Sequence, residues 1–296
     1  MIKILGFLLV FGCTFGGLVL TAGMEKALHL LTGVILPSAP GESLIILGCA
    51  IAAFLIGNSM HVVKASLGYM KRMLNPEAYS KADYLELLSL LFVIFKMAKT
   101  KGWLALEQHI ENPHDSEIFK AFPNFQKNHH AEVFLCDYLR IISLGNDNPH
   151  EIEALMDEEI ETIQTGEEHP SHAVQTMADG IPALGIVAAV LGVIKTMASI
   201  SEPPEVLGKL IGGALVGTFL GVWFAYGIFG PMASAMGARA ETEVKYYKVM
   251  KVCILAFLQG CAPQVSVEFG RKILHHDVQP TFGEVEEATN NVPTFA

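Results

Sequence analysis

Four long apolar stretches dominate the pattern of hydrophobic and polar positions along the chain. Each can cross about 30 Å of hydrocarbon as a helix, and none carries an acid or a base near its centre. The second reaches about 17 residues when Glu42 and Ser43 are counted at its interfacial edge. The pattern predicts four transmembrane helices in two hairpins: Ile4 to Gly23, Leu44 to Asn58, Ile181 to Ile200, and Leu210 to Phe229.

The first apolar stretch has a second interpretation, a secretory signal peptide, because Lys3 precedes the apolar run. The run is long for a signal peptide, and the sequence after it is a poor cleavage site. A second apolar stretch also follows closely. We therefore expect the first stretch to remain as a transmembrane helix.

The polar parts of the chain have helical rather than strand periodicity. Apolar residues recur at helical spacing in two segments, residues 87–95 and residues 152–163. No run of useful length alternates between apolar and polar residues with period two. Gly102 is expected to interrupt or cap the first of these helices, and Asn148-Pro149 to start the second. The recurring positions are Leu87, Leu88, Leu91, Phe92 and Phe95, then Ile152, Leu155, Met156, Ile160 and Ile163.

The lengths of the segments predict the domain organisation. Residues 1–60 form transmembrane helices 1 and 2, and residues 178–231 form helices 3 and 4. Residues 61–177 are too many for a loop, so we expect a cytoplasmic helical domain that also packs against a C-terminal extension, residues 232–296. Residues 277–296 have few apolar anchors and are expected to form a loosely ordered tail. The predicted fold class is an all-α membrane protein.

Basic residues near the ends of the spans predict the orientation of the chain. The connection over residues 24–41 holds only Lys26, and residues 201–208 hold no Lys or Arg. The segments that follow the second and fourth spans are richer in basic side chains. We therefore expect both termini to lie in the cytoplasm.

Composition narrows the classes of function. The chain is 51% hydrophobic and 17% charged, which fits a membrane protein, and its net charge of -10 disfavours a nucleic-acid partner. Its five cysteines form no C-x-x-C pattern, and the pairs His129-His130 and His275-His276 lack metal-ligand spacing. No nucleotide loop or nucleophile motif occurs. We expect neither an enzyme nor a metal or cofactor site.

Small residues repeat in the fourth span. Gly213, Gly217 and Gly221 stand four residues apart, which makes a flat helix face that permits close approach of another helix. Glycine is also common in membrane helices for no specific reason. Three glycines in register beside Thr218 favour close packing, which we expect between subunits.

The third and fourth predicted spans form a hairpin, which we call the inner hairpin. Two prolines and a threonine are its notable features. Thr218 either bonds back to its own helix or lines a polar path. Pro182 is near one end of its span and could begin that helix, and Pro231 has a mirrored position near the cytoplasmic end of the fourth span. Two prolines that flank the inner hairpin in this way suggest hinges at the membrane boundary. Since the spans lack a central acid, any ion pathway needs an ionisable group from another chain.

Charged residues of the predicted cytoplasmic part have two interpretations. Lys99 and Lys101 precede Glu107, and Met156 to Glu161 (MDEEIE) is a dense acidic run. Such charges usually form a solvated helix face, and less often they form a docking surface.

The order of several sequence blocks resembles the stator A subunit of the flagellar motor, the MotA/PomA family. The blocks cover essentially the whole chain: GFLLVFGCTFGG, WLALEQHIENPHDSEIF, DYLRIIS, HEIEALMDEEIE, DGIPALGIVAAVLGVI, GGALVGTFLGVWFAYGIFGPMA and APQVSVEFGRK. The resemblance implies a protein of the bacterial inner membrane that forms a homo-oligomeric ring, a pentamer around a dimer of MotB-type subunits. The MotB-type subunit would supply the aspartate that binds the ion, and the rotor protein FliG would receive the torque.

The resemblance also implies roles for individual residues. Pro182 and Pro231 match the family's functional prolines, and Thr218 matches the threonine beside the ion path. Ala189 stands where sodium-driven members have threonine, so protons are the expected coupling ion.

Three charged residues match the cytoplasmic residues through which the family engages its rotor. Lys99 and Glu107 match the charged pair that contacts FliG, with Lys in place of the more frequent Arg, which keeps the charge but loses the planar fork. Glu159 matches a further cytoplasmic acidic residue of the family.

Two other functions remain open from the sequence. One is a proton channel of the ExbB/TolQ type that energises another process, although those relatives typically have three spans. The other is a membrane scaffold that conducts no ions.

Overall fold

The structure, a computed structural model, describes residues 2–73 and 78–293. Every regular element in these residues is helical and none is a strand, which confirms the all-α fold class. Four helical segments are long and apolar enough to span a membrane, as predicted: Ile2–Ala22, Met24–Gly57, Pro149–Ala198 and Pro204–Leu258.

The helices divide between two compact units, Met1–Pro76 with Glu168–Ala238 and Glu77–Glu167 with Arg239–Ala296. We call them the span unit and the second unit. The helices, in chain order, are α1 (Ile2–Ala22), α2 (Met24–Leu30), α3 (Leu36–Gly57), α4 (Met60–Arg72), α5 (Lys81–Lys101), α6 (Glu107–Glu111), α7 (Glu117–Lys120), α8 (Pro123–Gln126), α9 (His129–Ser143), α10 (Pro149–Ala198), α11 (Pro204–Phe224), α12 (Gly230–Leu258), α13 (Pro263–Lys272) and α14 (Phe282–Asn290). Two π-helical turns, Leu31–Ile35 and Ala225–Phe229, and a 3₁₀ turn, Trp103–Leu106, join neighbouring helices.

The connection before the second span differs from the sequence expectation. Residues 24–41 were expected to form a loop, but they are helical through α2, the π turn and the start of α3. Val34, Ile35 and Ala39 pack against the core of the span unit. Packing of these apolar side chains overrides the helix-breaking tendency of the glycines and prolines in this segment. The second span is therefore longer than its apolar run.

The core of the span unit consists of small and medium-sized side chains. Its buried members are Ile46, Ala50, Ile181, Ala188, Val216, Leu220 and Ala225. Trp223 connects α11 to α1, because its ring lies edge-on to Phe11 with centroids 4.6 Å apart and its indole N–H donates to Thr14 Oγ1 over 3.1 Å. Three of the long helices thus contribute to one core, and α1 is held against it by an aromatic contact.

The second unit has a core of large side chains. Leu87, Leu88, Leu91 and Phe95 of α5 are buried, and Phe92 is half-buried, close to the predicted face. One hydrophobic cluster combines them with residues of α9, α10, α12, α13 and α14. The helix begins with a capping box between Ser80 and Asp83. It ends at Gly102, whose φ of 82° favours glycine, so the predicted cap is confirmed.

Helix α10 begins at Pro149, as predicted, and buries Ile152, Met156 and Ile160. Leu155, which was expected on the same face, is 48% exposed. The helix continues without interruption to Ala198 through Pro170 and Pro182. The suggestion that Pro182 begins a helix is therefore wrong. An interior proline removes one backbone hydrogen bond, and the rest of the long helix retains its ladder.

The C-terminal segment is more ordered than its composition suggested. Residues 282–290 form α14, which begins with a capping box between Thr281 and Glu284. Val285 is buried in the second-unit core, and Lys81 Nζ lies 2.7 Å from Glu284 Oε1. The expectation of a loose tail was wrong for α14, because one buried anchor and a good cap suffice for a short docked helix. Residues 294–296 of the predicted tail lie outside the described residues.

Candidate functional site

The glycine face of α11 packs against other helices of the same chain. A Cβ at Gly217 would lie 2.7 Å from Glu42 Oε2 and 3.0 Å from the Ala189 backbone nitrogen, and one at Gly221 would lie 2.8 Å from Gly185 Cα. Distances below 3.0 Å are closer than real Cβ atoms come. These helices approach so closely because the glycines lack a side chain. The expected close packing is present within the chain, and packing of the same face between subunits stays a prediction.

Matching small residues on the partner helices complete this contact. A Cβ at Gly192 of α10 would lie 2.7 Å from Ala214 Cβ, and one at Gly213 would lie 2.7 Å from Ser38 Oγ of α3. The sequence pattern predicted close packing only for the α11 glycines, which include Gly213. Gly185 and Gly192 stand seven residues apart, which places them on one helix face, so the signal was available in the sequence.

Glu42 brings a carboxylate into the helical part of the span unit. The residue lies inside α3, and its Oε2 atom is buried without a hydrogen-bond partner in the described part of the chain. The same oxygen faces Gly217, and Lys195 of α10 is its charged neighbour. The sequence predicted Glu42 at the interfacial edge of a short second span. Helix α3 instead begins at Leu36, before Glu42, and the Glu42 carboxylate lies beside the glycine face of α11.

The two threonines of the inner hairpin behave differently. Thr196 donates to Gly192 O over 2.9 Å, the ordinary bond of a membrane threonine to its own helix. Thr218 is exposed on the surface of the chain, and its hydroxyl makes no hydrogen bond among residues 2–73 and 78–293. Its neighbour Gly217 lies against Ala189, which is half-buried. Within the described residues, Thr218 therefore presents an unbonded hydroxyl next to the close helix contact at Gly217.

Both prolines stand beside the core of the span unit. Pro182 is half-buried in α10 and follows Ile181, a fully buried core residue. Pro231 is exposed in the first turn of α12, directly after the π turn Ala225–Phe229, and Ala225 belongs to the same core. A proline and a π turn both weaken the regular helix hydrogen bonding. Each proline thus removes one backbone donor next to one shared cluster.

The three charged residues of the predicted docking surface are all exposed, but their environments differ. Lys99 lies in the last turn of α5 and Glu107 opens α6, and neither side chain has a hydrogen bond or an ion pair within the described residues. Glu159 of α10 accepts a 2.8 Å hydrogen bond from the Tyr138 hydroxyl. Burial, together with this bond, raises the pKa of Tyr138 above its ordinary value. Glu159 is therefore held in place, while Lys99 and Glu107 are free to bind a partner.

Two family models match the chain. The motility protein A N-terminal family matches residues 4–102, and the MotA/TolQ/ExbB proton channel family matches residues 125–249. The first covers α1 to the end of α5, and the second covers most of the glycine face and the inner hairpin.

Relatives and solved structures agree with these matches. Motility protein A of Salmonella typhimurium and that of Escherichia coli are each 40% identical over 97% of this chain and 94% of their own length. Chemotaxis protein LafT of Vibrio parahaemolyticus is 32% identical over 96% of this chain and 97% of its own. The flagellar MotAB stator complex from Bacillus subtilis contains a chain with a TM-score of 0.66 and 26% identity, covering 92% of this chain and 94% of that one. A chain of C. jejuni MotAB has the same fold, with a TM-score of 0.72, 22% identity, and coverage of 93% and 95%.

Proposed function

This chain belongs to the motility protein A family of flagellar stator subunits, and from that premise we propose how it conducts protons and generates torque. With a MotB-type partner it lines a proton path, and it transmits the resulting movement to the rotor protein FliG. The observation that carries this proposal is the exposed hydroxyl of Thr218 beside the Gly217 contact, which has no hydrogen bond to any described residue. A polar group left free on an apolar span supports contact with another polar element in the membrane.

The partner would contribute the acid that the spans of this chain lack at their centres. An aspartate held against α10 and α11 is desolvated, so it binds a proton from the outer side and releases it inward. Each charge that crosses is worth about 2.3 kcal/mol per 100 mV of membrane potential. Glu42, with its buried oxygen beside Gly217, is a second carboxylate on this face, and we place it at the entrance of the path.

Proton binding would be converted to movement through the helix contacts. Neutralising the partner's aspartate changes the preferred packing around it, and small-residue faces slide at low cost because no side chains interlock. Pro182 and Pro231 act as the hinges, since both stand beside the common core and both interrupt regular hydrogen bonding. Ala189 carries no hydroxyl that could bind sodium, which supports protons as the coupling ion.

The second unit would pass this movement to the rotor. Lys99 and Glu107 have no partners in the described part of the chain, so their charges are available to complementary charges on FliG. Glu159, fixed by Tyr138, provides a further contact. We place the chains in a ring, a pentamer around a dimer of the MotB-type subunit, in the bacterial inner membrane with both termini in the cytoplasm.

Proton flux tests the conduction step directly. Vesicles that carry this chain with its MotB-type partner should show voltage-driven proton flux, and changing the partner's aspartate to asparagine should abolish it. Equal flux without that aspartate would contradict the proposal, and no flux from the unmodified complex would favour a scaffold that does not conduct.

Motor speed tests the choice of ion. With the proton gradient held constant, removal of sodium should leave the speed unchanged. A motor that stops without sodium would contradict the assignment from Ala189. The four spans argue against the ExbB/TolQ alternative, which typically has three.

A further inference from the structure

One cluster in the second unit joins a buried carboxylate to two exposed imidazoles. Glu132, in the first turn of α9, is 1% exposed, and its Oε2 has no hydrogen-bond partner within the described residues. Its Oε1 lies 3.6 Å from His114 Nε2 and 3.8 Å from His129 Nδ1. The ligand atoms of the three residues all lie within 4.8 Å of one another.

The carboxylate of Glu132 is poorly satisfied by protein groups alone. Both imidazole distances exceed the 2.7–3.2 Å of an ordinary N–H···O hydrogen bond. A buried acid without good partners costs free energy, unless a positive charge compensates it. The cluster therefore has a place for a cation between its three ligand atoms.

Two of the three spacings between the ligand atoms are close to those of a zinc site. With Zn–N and Zn–O bonds of about 2.0–2.1 Å, ligand atoms of a tetrahedral site lie about 3.4 Å apart. The two oxygen–nitrogen distances, 3.6 and 3.8 Å, are within a few tenths of an ångström of that value. The imidazoles can adjust further, because the His114 and His129 side chains are 68% and 70% exposed. Glu132 is the fixed ligand around which they close.

We propose that Glu132, His114 and His129 form a zinc site, with water as the fourth ligand. Two imidazole nitrogens and one carboxylate oxygen are ligands that Zn²⁺ accepts, whereas Mg²⁺ and Ca²⁺ prefer oxygen ligands. His129 and Glu132 are three residues apart on α9 and share one helix face. His114 comes from the turn between α6 and α7.

The zinc ion links two different elements of the second unit. It connects the turn after α6 to the first turn of α9, a bridge between His114 and His129 that raises stability when the metal is bound. The sequence predicted no metal site, because the adjacent pairs His129-His130 and His275-His276 lack metal-ligand spacing. The fold instead pairs His129 with His114 and with Glu132, so the ligand spacing exists only in three dimensions. This proposal is independent of the assigned torque function.

Zinc binding to the purified complex tests the site. The full chain with its MotB-type partner is stripped with a chelator in detergent and then titrated with Zn²⁺ against a chromophoric competitor. We expect one zinc per copy of this chain, confirmed by elemental analysis after gel filtration. Glu132→Gln and His114→Asn should each weaken zinc binding by roughly tenfold or more. His150→Ala, which removes an exposed histidine on α10, is the matched control and should bind zinc normally.

Thermal unfolding separates loss of the site from loss of the fold. Glu132→Gln removes a buried charge but keeps the shape, so without metal this variant should unfold at the same temperature as the unmodified chain or higher. Zinc should raise the unfolding temperature of the unmodified chain and of His150→Ala, but not that of Glu132→Gln or His114→Asn. Equal zinc affinity and an equal thermal shift in these two variants and the unmodified chain would overturn the proposal. Since His114 lies in an exposed turn, its variant keeps the test valid even if Glu132→Gln is poorly folded.

Discussion

The span unit and the second unit pack their helices with opposite kinds of residues. In the span unit, Gly217 and Gly221 allow backbones to approach so closely that a methyl group would collide with the neighbouring helix. In the second unit, Leu88, Phe95 and Tyr84 are fully buried in a continuous cluster of large side chains. Large side chains interlock in a close-packed core, whereas faces of small residues bring helix backbones together without interlocking side chains. In the proposed function, this difference supports movement in the span unit and rigid transmission through the second unit.

The largest expected effect comes from filling the glycine face. Gly217→Val should abolish motility and reduce the amount of assembled stator, because its side chain has no space beside Glu42 and Ala189. Swimming speed and the quantity of complex in membranes measure the two effects. Gly208→Val is the control, since nothing lies within 4 Å of a Cβ at that position. Normal motility of Gly217→Val would show that the close packing is dispensable.

The prolines test whether the span unit must bend. Pro182→Ala and Pro231→Ala should each leave assembly intact but abolish torque, because alanine restores the missing helix hydrogen bond and stiffens the helix. Torque on tethered cells and co-purification with the MotB-type partner provide the two measurements. Pro170→Ala, in the same long helix as Pro182, is a control for a proline away from the glycine face. Wild-type swarming by both hinge variants would defeat the hinge interpretation.

The core of the second unit should lose stability when one of its large buried side chains is shortened. Leu88→Ala should lower the free energy of unfolding by about 2–5 kcal/mol, because it leaves a cavity among large neighbours. The midpoint of thermal unfolding of the purified complex measures this loss. Leu104→Ala should have little effect, since Leu104 is 80% exposed. Similar midpoints for the two variants would mean that this core is looser than its packing indicates.

The smallest effect is expected at the surface charges. Lys99→Glu should reduce swimming speed without changing stability, because Lys99 has no partner in residues 2–73 and 78–293. A reversed charge on the rotor should restore part of the speed, and adding Lys101→Glu should increase the defect. Lys127→Glu, at another exposed lysine of the second unit, controls for net charge. Unimpaired motility of the Lys99 variant would favour a solvated helix face.

Local patterns of the sequence determined most of the helices and the family. The four spans follow from uninterrupted apolar runs, the start of α10 from Pro149, and the end of α5 from Gly102. These features depend on residues that are near one another in the chain, so their physics is visible in one dimension. The sequence also shows that Pro182 and Thr218 lie in the apolar spans. It does not show which side chains and helices contact them.

Only the tertiary structure decided which groups meet. It placed the glycine face of α11 against α3 and α10 of the same chain, and it brought Glu42 beside Gly217. It also joined His114 to Glu132 and docked α14 through Val285. Each of these contacts links segments that are far apart in sequence, and their distances depend on how helices with several possible faces pack together. Neither the hydrophobic period nor the composition specifies which face of a helix contacts which neighbour. The packing free energy of the whole unit selects that face.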